Sequence, residues 1–334
     1  MNFRIPTTGK TEELKNTQAL AEQWESIDWH EIEQAVNRLQ TRIAKAVAAG
    51  KPRKAKRLQC LLTNSLSAKL FAVRKVTTNK GKRTSGMDGV LWFTSAAKMR
   101  AVLQLTEKKY RAKPLKRVYI DKKGKKTKRP LGIPTMNDRA MQTLYALALE
   151  PIAETTADTV SFGFRRGRNA HDACEQAFNV LSRKCTPEWI LEGDIKGCFD
   201  NISHDWLMSN IPMKKTVMKQ FLKSGFVHHG NLFPTDMGSP QGGAISSIYA
   251  NMTLDGMEKL IQNRYHRNSK GNIENHFRAK TKVNLIRYAD DFIITAATKE
   301  IAGEVKDIIA SFLSSKGLSL SEDKNSYNSH KRRF

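Results

Sequence analysis

Tyr288-Ala289-Asp290-Asp291 places two carboxylates side by side between two apolar runs, Asn284-Leu285-Ile286-Arg287 and Phe292-Ile293-Ile294-Thr295. That pattern predicts a β-hairpin with an acidic tip. Neighbouring acids repel, and Asp is a poor strand former, so the arrangement calls for a compensating charge. A divalent cation is the usual one. With a third carboxylate from elsewhere, such a site can hold two hard cations about 3.5–4 Å apart, as phosphoryl-transfer enzymes do. Asp194 is the candidate third ligand, because it closes the apolar strand predicted over Trp189–Ile195. A lone Asp at a strand end is usually structural, and a lone Asp-Asp pair is usually a solvated turn. Together, on neighbouring strands, they suit attack of a 3′-hydroxyl on an α-phosphate, with one cation at the nucleophile and one at the leaving pyrophosphate.

The elements that must position these acids are legible in outline. Asp28 and Glu31 form a plausible capping pair, and Trp29, Ile32, Val36, Leu39, Ile43 and Val47 recur at helical spacing until Gly50-Lys51-Pro52. A second helix is expected with Leu58, Leu61, Leu62, Leu66, Leu70 and Phe71 inward. It carries Arg53, Lys54, Lys56 and Arg57 at its start, where cations oppose the helix macrodipole, so phosphate binding is one reason for them. Residues before about Ser26 read as a polar, loosely held arm, and Gly81 to Gly89 as a loop. Val118-Tyr119-Ile120 and Arg129–Pro134 read as strands flanking a basic tip, Lys122–Lys126. Helices are expected over about Asp138–Ala153, Ala170–Leu181 and Val217–Phe226, and from Thr298 onward with Ile301, Val305, Ile308, Ile309 and Phe312 on one face.

Composition narrows the partners. The 334 residues are 40% hydrophobic and 27% charged, enough for a sizeable core and two or three subdomains. A net charge of +25 points to a polyanion. From Arg42 to Arg83 there are thirteen Lys or Arg and no acid, and from Lys108 to Arg129 twelve against Asp121 alone. Nucleic acid fits better than a membrane, because no apolar span approaches about 20 residues. Four scattered cysteines, Cys60, Cys174, Cys185 and Cys198, offer neither a zinc module nor a disulfide framework. Met1–Pro6 resembles no targeting segment, so a cytoplasmic location is the expectation.

Six ordered motifs then resemble one family. Leu191–Asp200, Gly238-Ser239-Pro240-Gln241-Gly242-Gly243 and Tyr288–Asp291 are similar, in order and rough spacing, to the palm motifs of reverse transcriptases. Arg129–Pro134, Gly163-Phe164-Arg165-Arg166-Gly167-Arg168 and Gly317–Lys324 resemble the group II intron-encoded branch. The resemblance covers about residues 28–324. It implies an α+β, right-hand polymerase fold: a basic helical N-terminal extension over residues 28–100 after the arm of 1–27, fingers over 101–187, and a palm over 188–324 with an antiparallel sheet packed on helices. It further implies RNA-directed DNA synthesis with two Mg²⁺ ions held by Asp194, Ile195, Asp290 and Asp291, the three acids being catalytic. Phe199 matches the aromatic gate that excludes a 2′-hydroxyl, with a plain core Phe as its alternative. Arg129 and Lys122 match the triphosphate clamp, although Lys123 or Lys125 can stand in for Lys122. Gln241 matches a residue beside nucleotide and template, and Lys324 one that either protonates pyrophosphate or sits in solvent. Arg53, Lys54, Lys56, Arg57, Arg74 and Lys75 fall where such proteins bind template and intron RNA.

The family continues past this motif into a primer-grip hairpin and a helical thumb, whereas this sequence runs from Asn325 to Phe334. The expectation is a thumbless chain with a short tail over 325–334, reduced processivity, and a possible partner supplying thumb function. Two alternatives accompany the polymerase reading. One is an RNA-binding maturase with little synthesis of its own; the other is a bacterial defence or CRISPR-associated reverse transcriptase.

Overall fold

The computed structural model describes residues 10–121, 128–182, 187–267, 270–273, 280–321 and 326–329. In chain order the elements are α1 (Lys10–Glu25), α2 (Trp29–Ala48), α3 (Pro52–Asn64), α4 (Leu66–Thr78), α5 (Ser95–Gln104), β1 (Leu115–Asp121), β2 (Lys128–Ile133) and α6 (Met136–Thr156). Next come α7 (Ala170–Leu181), β3 (Trp189–Asp194), α8 (Cys198–Asn201), α9 (His204–Asn210), α10 (Lys215–Leu222), β4 (Phe226–His228) and β5 (Asn231–Phe233). The last are α11 (Ser246–Leu254), α12 (Met257–Tyr265), β6 (Asn284–Tyr288), β7 (Asp291–Ala296), α13 (Lys299–Ser314) and β8 (Ser326–Ser329). None of the helices is long and apolar enough to cross a membrane, among the described residues. The α+β class expected from the sequence holds.

The chain forms two compact units, and their limits differ from the expected domains. The first comprises Met1–Ile152, Pro212–Asp236 and Pro240–Ile245; the second comprises Ala153–Ile211, Met237–Ser239 and Ser246–Phe334. The N-terminal extension and most of the fingers therefore share one unit, and the palm range of 188–324 is interrupted. The reason is strand pairing: Leu115 and Lys116 of β1 pair in parallel with Phe226 and Val227 of β4, which draws that later segment into the first unit.

In the first unit, the predicted arm is helix from Lys10 to Glu25, as α1 packed on α5, and residues 1–9 lie outside the described residues. Leu20 and Trp24 are buried, and Trp24 meets Trp29 edge to face at 4.9 Å. Those two apolar residues, four apart on one helix face, offset the polar remainder. The Asp28 cap is as expected, accepting from the backbone N–H groups of His30 and Glu31. The single helix expected through Leu58–Phe71 is two, because Ser65 adopts an extended conformation and caps α4 through Ala68 N–H. Leu61 is consequently exposed. The sheet order is β2-β1-β4-β5, and the β4–β5 turn places His229 and Gly230 both at positive φ, as two-residue hairpins favour.

In the second unit the sheet order is β6-β7-β3-β8, antiparallel throughout. On one face, Ile286 and Ile293 pack with Phe162, Val180 and the α7 residues Ala173 and Ala177. Leu191, Leu285 and Ile294 point the other way by strand alternation and are buried. Helix α13 packs on β3 and β7, and α12 on β6. This is an antiparallel sheet packed on helices, the form expected of a palm.

Candidate active site

Strand register brings the acids together. Asp194, the last residue of β3, lies directly opposite Asp291, the first of β7. Facing residues on antiparallel neighbours share one side of the sheet, with Cβ atoms about 4.5–5.5 Å apart. Glu192 and Tyr288 point to the same side, since strand side chains alternate. Tyr288 pairs with Asp291 across a two-residue turn made by Ala289 and Asp290. Asp194, Asp291, Glu192 and Tyr288 line an open cleft of about 520 Å³ whose other wall is α7, with Cys174 and Ala177.

Three features fix this tip. Ala289 holds a left-handed φ of 59°, a conformation that costs a non-glycine residue about 1–2 kcal/mol. Gly163 lies hard against it: a Cβ there would sit 2.3 Å from the Ala289 nitrogen. Gly193 allows the Phe292 ring to cross β3 beside Asp194, a Cβ there falling 2.2 Å from the ring. The exit of β3 is pinned as well. Ser321 N–H donates to the Asp194 carbonyl at 2.8 Å, and Lys196 N–H to Ser319 at 3.0 Å. Ile195 buries its side chain, leaving only its carbonyl as a donor atom to a cation.

The local field is negative. The Cys198 thiol is pushed up to about 12, first by burial and then by Asp290, with Arg287 opposing and Asp194 and Asp200 adding smaller upward effects. Asp194, Asp290 and Asp291 are hard oxygen donors of the type Mg²⁺ takes, and strand register faces Asp194 with Asp291. Among the described residues, no group of three or more His, Cys, Asp or Glu closes to metal-binding spacing.

Phe199 lies on α8, in the same unit, half-buried and edge to face with Phe164 at 6.0 Å. Its carbonyl accepts from Ser239 N–H at 2.6 Å. Gly238, at φ 81°, packs so closely that a Cβ would meet the Asp200 carbonyl oxygen at 2.5 Å. The Gly238-Ser239 pair thus braces the turn carrying Phe199, rather than serving only as a spacer before Gln241.

Gln241 and Arg129 belong to the first unit. The Gln241 carbonyl accepts from Gly132 N–H at 2.9 Å, joining its turn to β2, and its side-chain Oε1 is buried without a hydrogen-bond partner. Arg129 is exposed on β2 opposite Ile120. Lys122, with Lys123 and Lys125, lies outside the described residues, as does Lys324. Arg53, Lys54, Lys56 and Arg57 are exposed on the first turns of α3, which has no acid in its first turn and no side-chain cap. Lys75 is exposed, but Arg74 is half-buried, its guanidinium 4.5 Å from the Trp29 ring centre. Cation–π stacking gives Arg74 a role inside the fold.

Residues 120–334 match the family described as reverse transcriptase (RNA-dependent DNA polymerase). The chain belongs to the reverse transcriptase family. Residues 24–105 match the N-terminal domain of reverse transcriptase. Group II intron-encoded protein LtrA of Lactococcus lactis subsp. cremoris is 32% identical over 310 residues, the match spanning 76% of this chain and 51% of that protein. Protein YkfC of Escherichia coli (strain K12) is 30% identical over 252 residues, spanning 67% of this chain and 66% of that one. The chain thus covers about half the length of the Lactococcus relative. The group II intron resemblance read from the motifs is borne out by these relatives. Among solved structures, apo telomerase from Candida tropicalis is similar at 15% identity and a TM-score of 0.45, covering 65% of this chain and 50% of that one.

Arg287, Asn251, Asp255 and Gly163 contribute to the site without being singled out by the sequence alone. Arg287 carried a signal, since a cation inside an apolar strand must find a buried partner. Asn251 carried none, because α11 has no marked polar and apolar faces, and neither did Asp255, in the turn that follows it.

Proposed function

We propose that this reverse transcriptase is an RNA-directed DNA polymerase of group II intron type, adding deoxynucleotides to a primer 3′-hydroxyl on an RNA template. The observation that carries this reading is Asp194 directly opposite Asp291, with Asp290 in the adjoining turn. Carboxylates that face each other on one side of a sheet are hard oxygen donors that a shared divalent cation can bridge. Asp194, Asp290 and Asp291, with the Ile195 carbonyl, would hold two Mg²⁺ ions. When bound, such a pair lowers the pKa of an attacking hydroxyl and neutralises a leaving pyrophosphate.

The remaining roles follow from side-chain chemistry. Phe199, braced from behind by Gly238 and Ser239, presents a rigid ring edge against a nucleotide 2′-position. Arg129 offers a planar guanidinium suited to bidentate phosphate contact, and Lys122 an ammonium for the same triphosphate. The unpartnered Gln241 oxygen is a hydrogen-bond acceptor for nucleotide or template. Lys324 is a proton donor to pyrophosphate. Arg53, Lys54, Lys56, Arg57 and Lys75 bind RNA phosphates, with Arg74 steadying α2 against α4 beside them.

The exposed basic start of α3 also favours a maturase role, and one experiment separates the two. Asp290→Asn should abolish primer extension and leave RNA affinity intact. Charge reversal at Arg53, Lys54, Lys56 and Arg57 should weaken RNA binding first. If the parent chain binds RNA tightly yet extends no primer, the polymerase reading fails and the maturase reading stands.

A further inference from the structure

Arg287 is a fully buried cation, 0% exposed, three residues before Asp290. Its Nη1 donates to the Ala289 carbonyl at 3.2 Å and to Asn251 Oδ1 at 3.2 Å, while Nη2 donates to Asp255 Oδ1 at 2.6 Å. The Asn251 amide donates in turn to the Gly163 carbonyl at 2.9 Å. Arg287 and Asn251 therefore bond the two pieces of backbone that touch at the acidic tip, Ala289 on one side and Gly163 on the other. The main chain adds to this: Arg287 N–H donates to Val160 at 3.0 Å, and Phe162 N–H to the Arg287 carbonyl at 2.9 Å.

The anchor continues into α12. Asp158 accepts from the backbone N–H groups of Gly256 and Glu258 at the start of that helix, and its own N–H meets Asp255. Arg165 donates to the carbonyls of Asp158 and Ser161 and pairs with Glu154. Both Nη groups of this buried cation are engaged while its Nε has no hydrogen-bond partner, an expensive way to close a turn if any conformation would serve. An arrangement limited to stability is better built from apolar side chains.

We propose that Arg287, with Asn251, is a positioning residue that holds the Ala289–Asp290 turn in the shape the metal-binding carboxylates require. This rests on the two-cation reading of Asp194, Asp290 and Asp291. Groups that orient ligands from behind typically change metal affinity about 10- to 100-fold when removed.

The test is Mn²⁺ binding to the full chain, followed by the electron paramagnetic resonance of free Mn²⁺, with melting temperatures recorded in parallel. Asp290→Asn defines the site by abolishing binding. Asn251→Ala and Arg287→Lys should raise the Mn²⁺ dissociation constant about tenfold or more in protein that still melts cooperatively. Leu313→Ala, which opens a cavity under α13 and touches none of these hydrogen bonds, should lower the melting temperature and leave Mn²⁺ affinity unchanged. Should Arg287→Lys fail to fold, Asn251→Ala carries the test alone. Mn²⁺ affinity within twofold of the parent in Asn251→Ala would overturn the positioning role. Binding in the parent that Asp290→Asn does not remove would overturn the metal reading itself, and this inference with it.

Discussion

Gly163→Ala adds one methyl group behind the acidic hairpin, and its effect can be worked out from the contacts. The new Cβ would lie 2.3 Å from the Ala289 nitrogen and 2.9 Å from both the Ala289 Cβ and the Tyr288 carbonyl carbon. Ordinary contact begins at 3.4 Å, so the two backbones must part by about 1.1 Å. No flexible side chain can swing aside, because the obstructing atoms are main chain and one methyl. The Val160–Phe162 segment is tied to Arg287 by two backbone hydrogen bonds, and Gly163 to Asn251 by another. The turn carrying Asp290 is the part left to move. Overpacking of this kind costs about 1–3 kcal/mol, lowering the melting temperature by roughly 2–12 °C for a unit of this size. A displacement near 1 Å at reacting groups costs about 10²-fold in rate. Single-turnover extension of a DNA primer on an RNA template, at saturating nucleotide, measures that loss directly. Gly303→Ala is the control: it lies on α13 with open space around it, and should keep its rate while gaining about 0.4–1 kcal/mol. A Gly163→Ala protein with a rate within threefold of the parent and an unchanged melting temperature would refute the reasoning.

Other perturbations have equally definite outcomes. Neutralising Arg53, Lys54, Lys56 and Arg57 should flatten the dependence of log RNA affinity on log salt by about 0.7 per lost phosphate contact, with no change in melting temperature. Phe199→Val should reduce discrimination against ribonucleotides by about 10- to 200-fold, read as the ratio of kcat/KM for matched deoxy- and ribonucleotides. Burial lifts the Asp255 carboxyl to about 6, with Arg287 opposing. A carboxyl raised on folding favours the native state below its unfolded pKa and loses that contribution as pH rises through the folded value. Melting curves of Asp255→Asn should therefore show lower stability overall, from the stranded Arg287, and a shallower decline between about pH 4 and 6. Asp158, raised by burial in the same network, keeps part of the slope.

What the sequence revealed and what it concealed divide along physical lines. Strands β3, β6 and β7, helix α7 and the start of α13 were legible because each has a clear period and a marked end, such as Asn169 and Thr298 capping α7 and α13. The pairing of Asp194 with the hairpin was anticipated from two strands ending in acid. Helix α1 was missed because only Leu20 and Trp24 anchor it. The β4–β5 hairpin was missed because three-residue strands show no alternation, and its place in the sheet depends on a contact with β1 over a hundred residues earlier. Helices α11 and α12 lie in a stretch without helical periodicity. Asn251 on α11 and Asp255 in the turn between the two helices draw their meaning from Arg287, a partner that only the folded chain supplies. The unit boundary inside α6 was invisible for the same reason, since a continuous helix gives no compositional sign of a division.

In the proposed reaction, Asp194, Asp290 and Asp291 serve nucleotidyl transfer on an RNA template. Incorporation of a single complementary deoxynucleotide onto a DNA primer annealed to RNA, with Mg²⁺ present, tests it most directly. A one-nucleotide product is expected from the parent chain and none from Asp290→Asn or Asp194→Asn, all three binding the primer–template alike. No product from a parent that binds the duplex, or equal product from parent and variants, would contradict it.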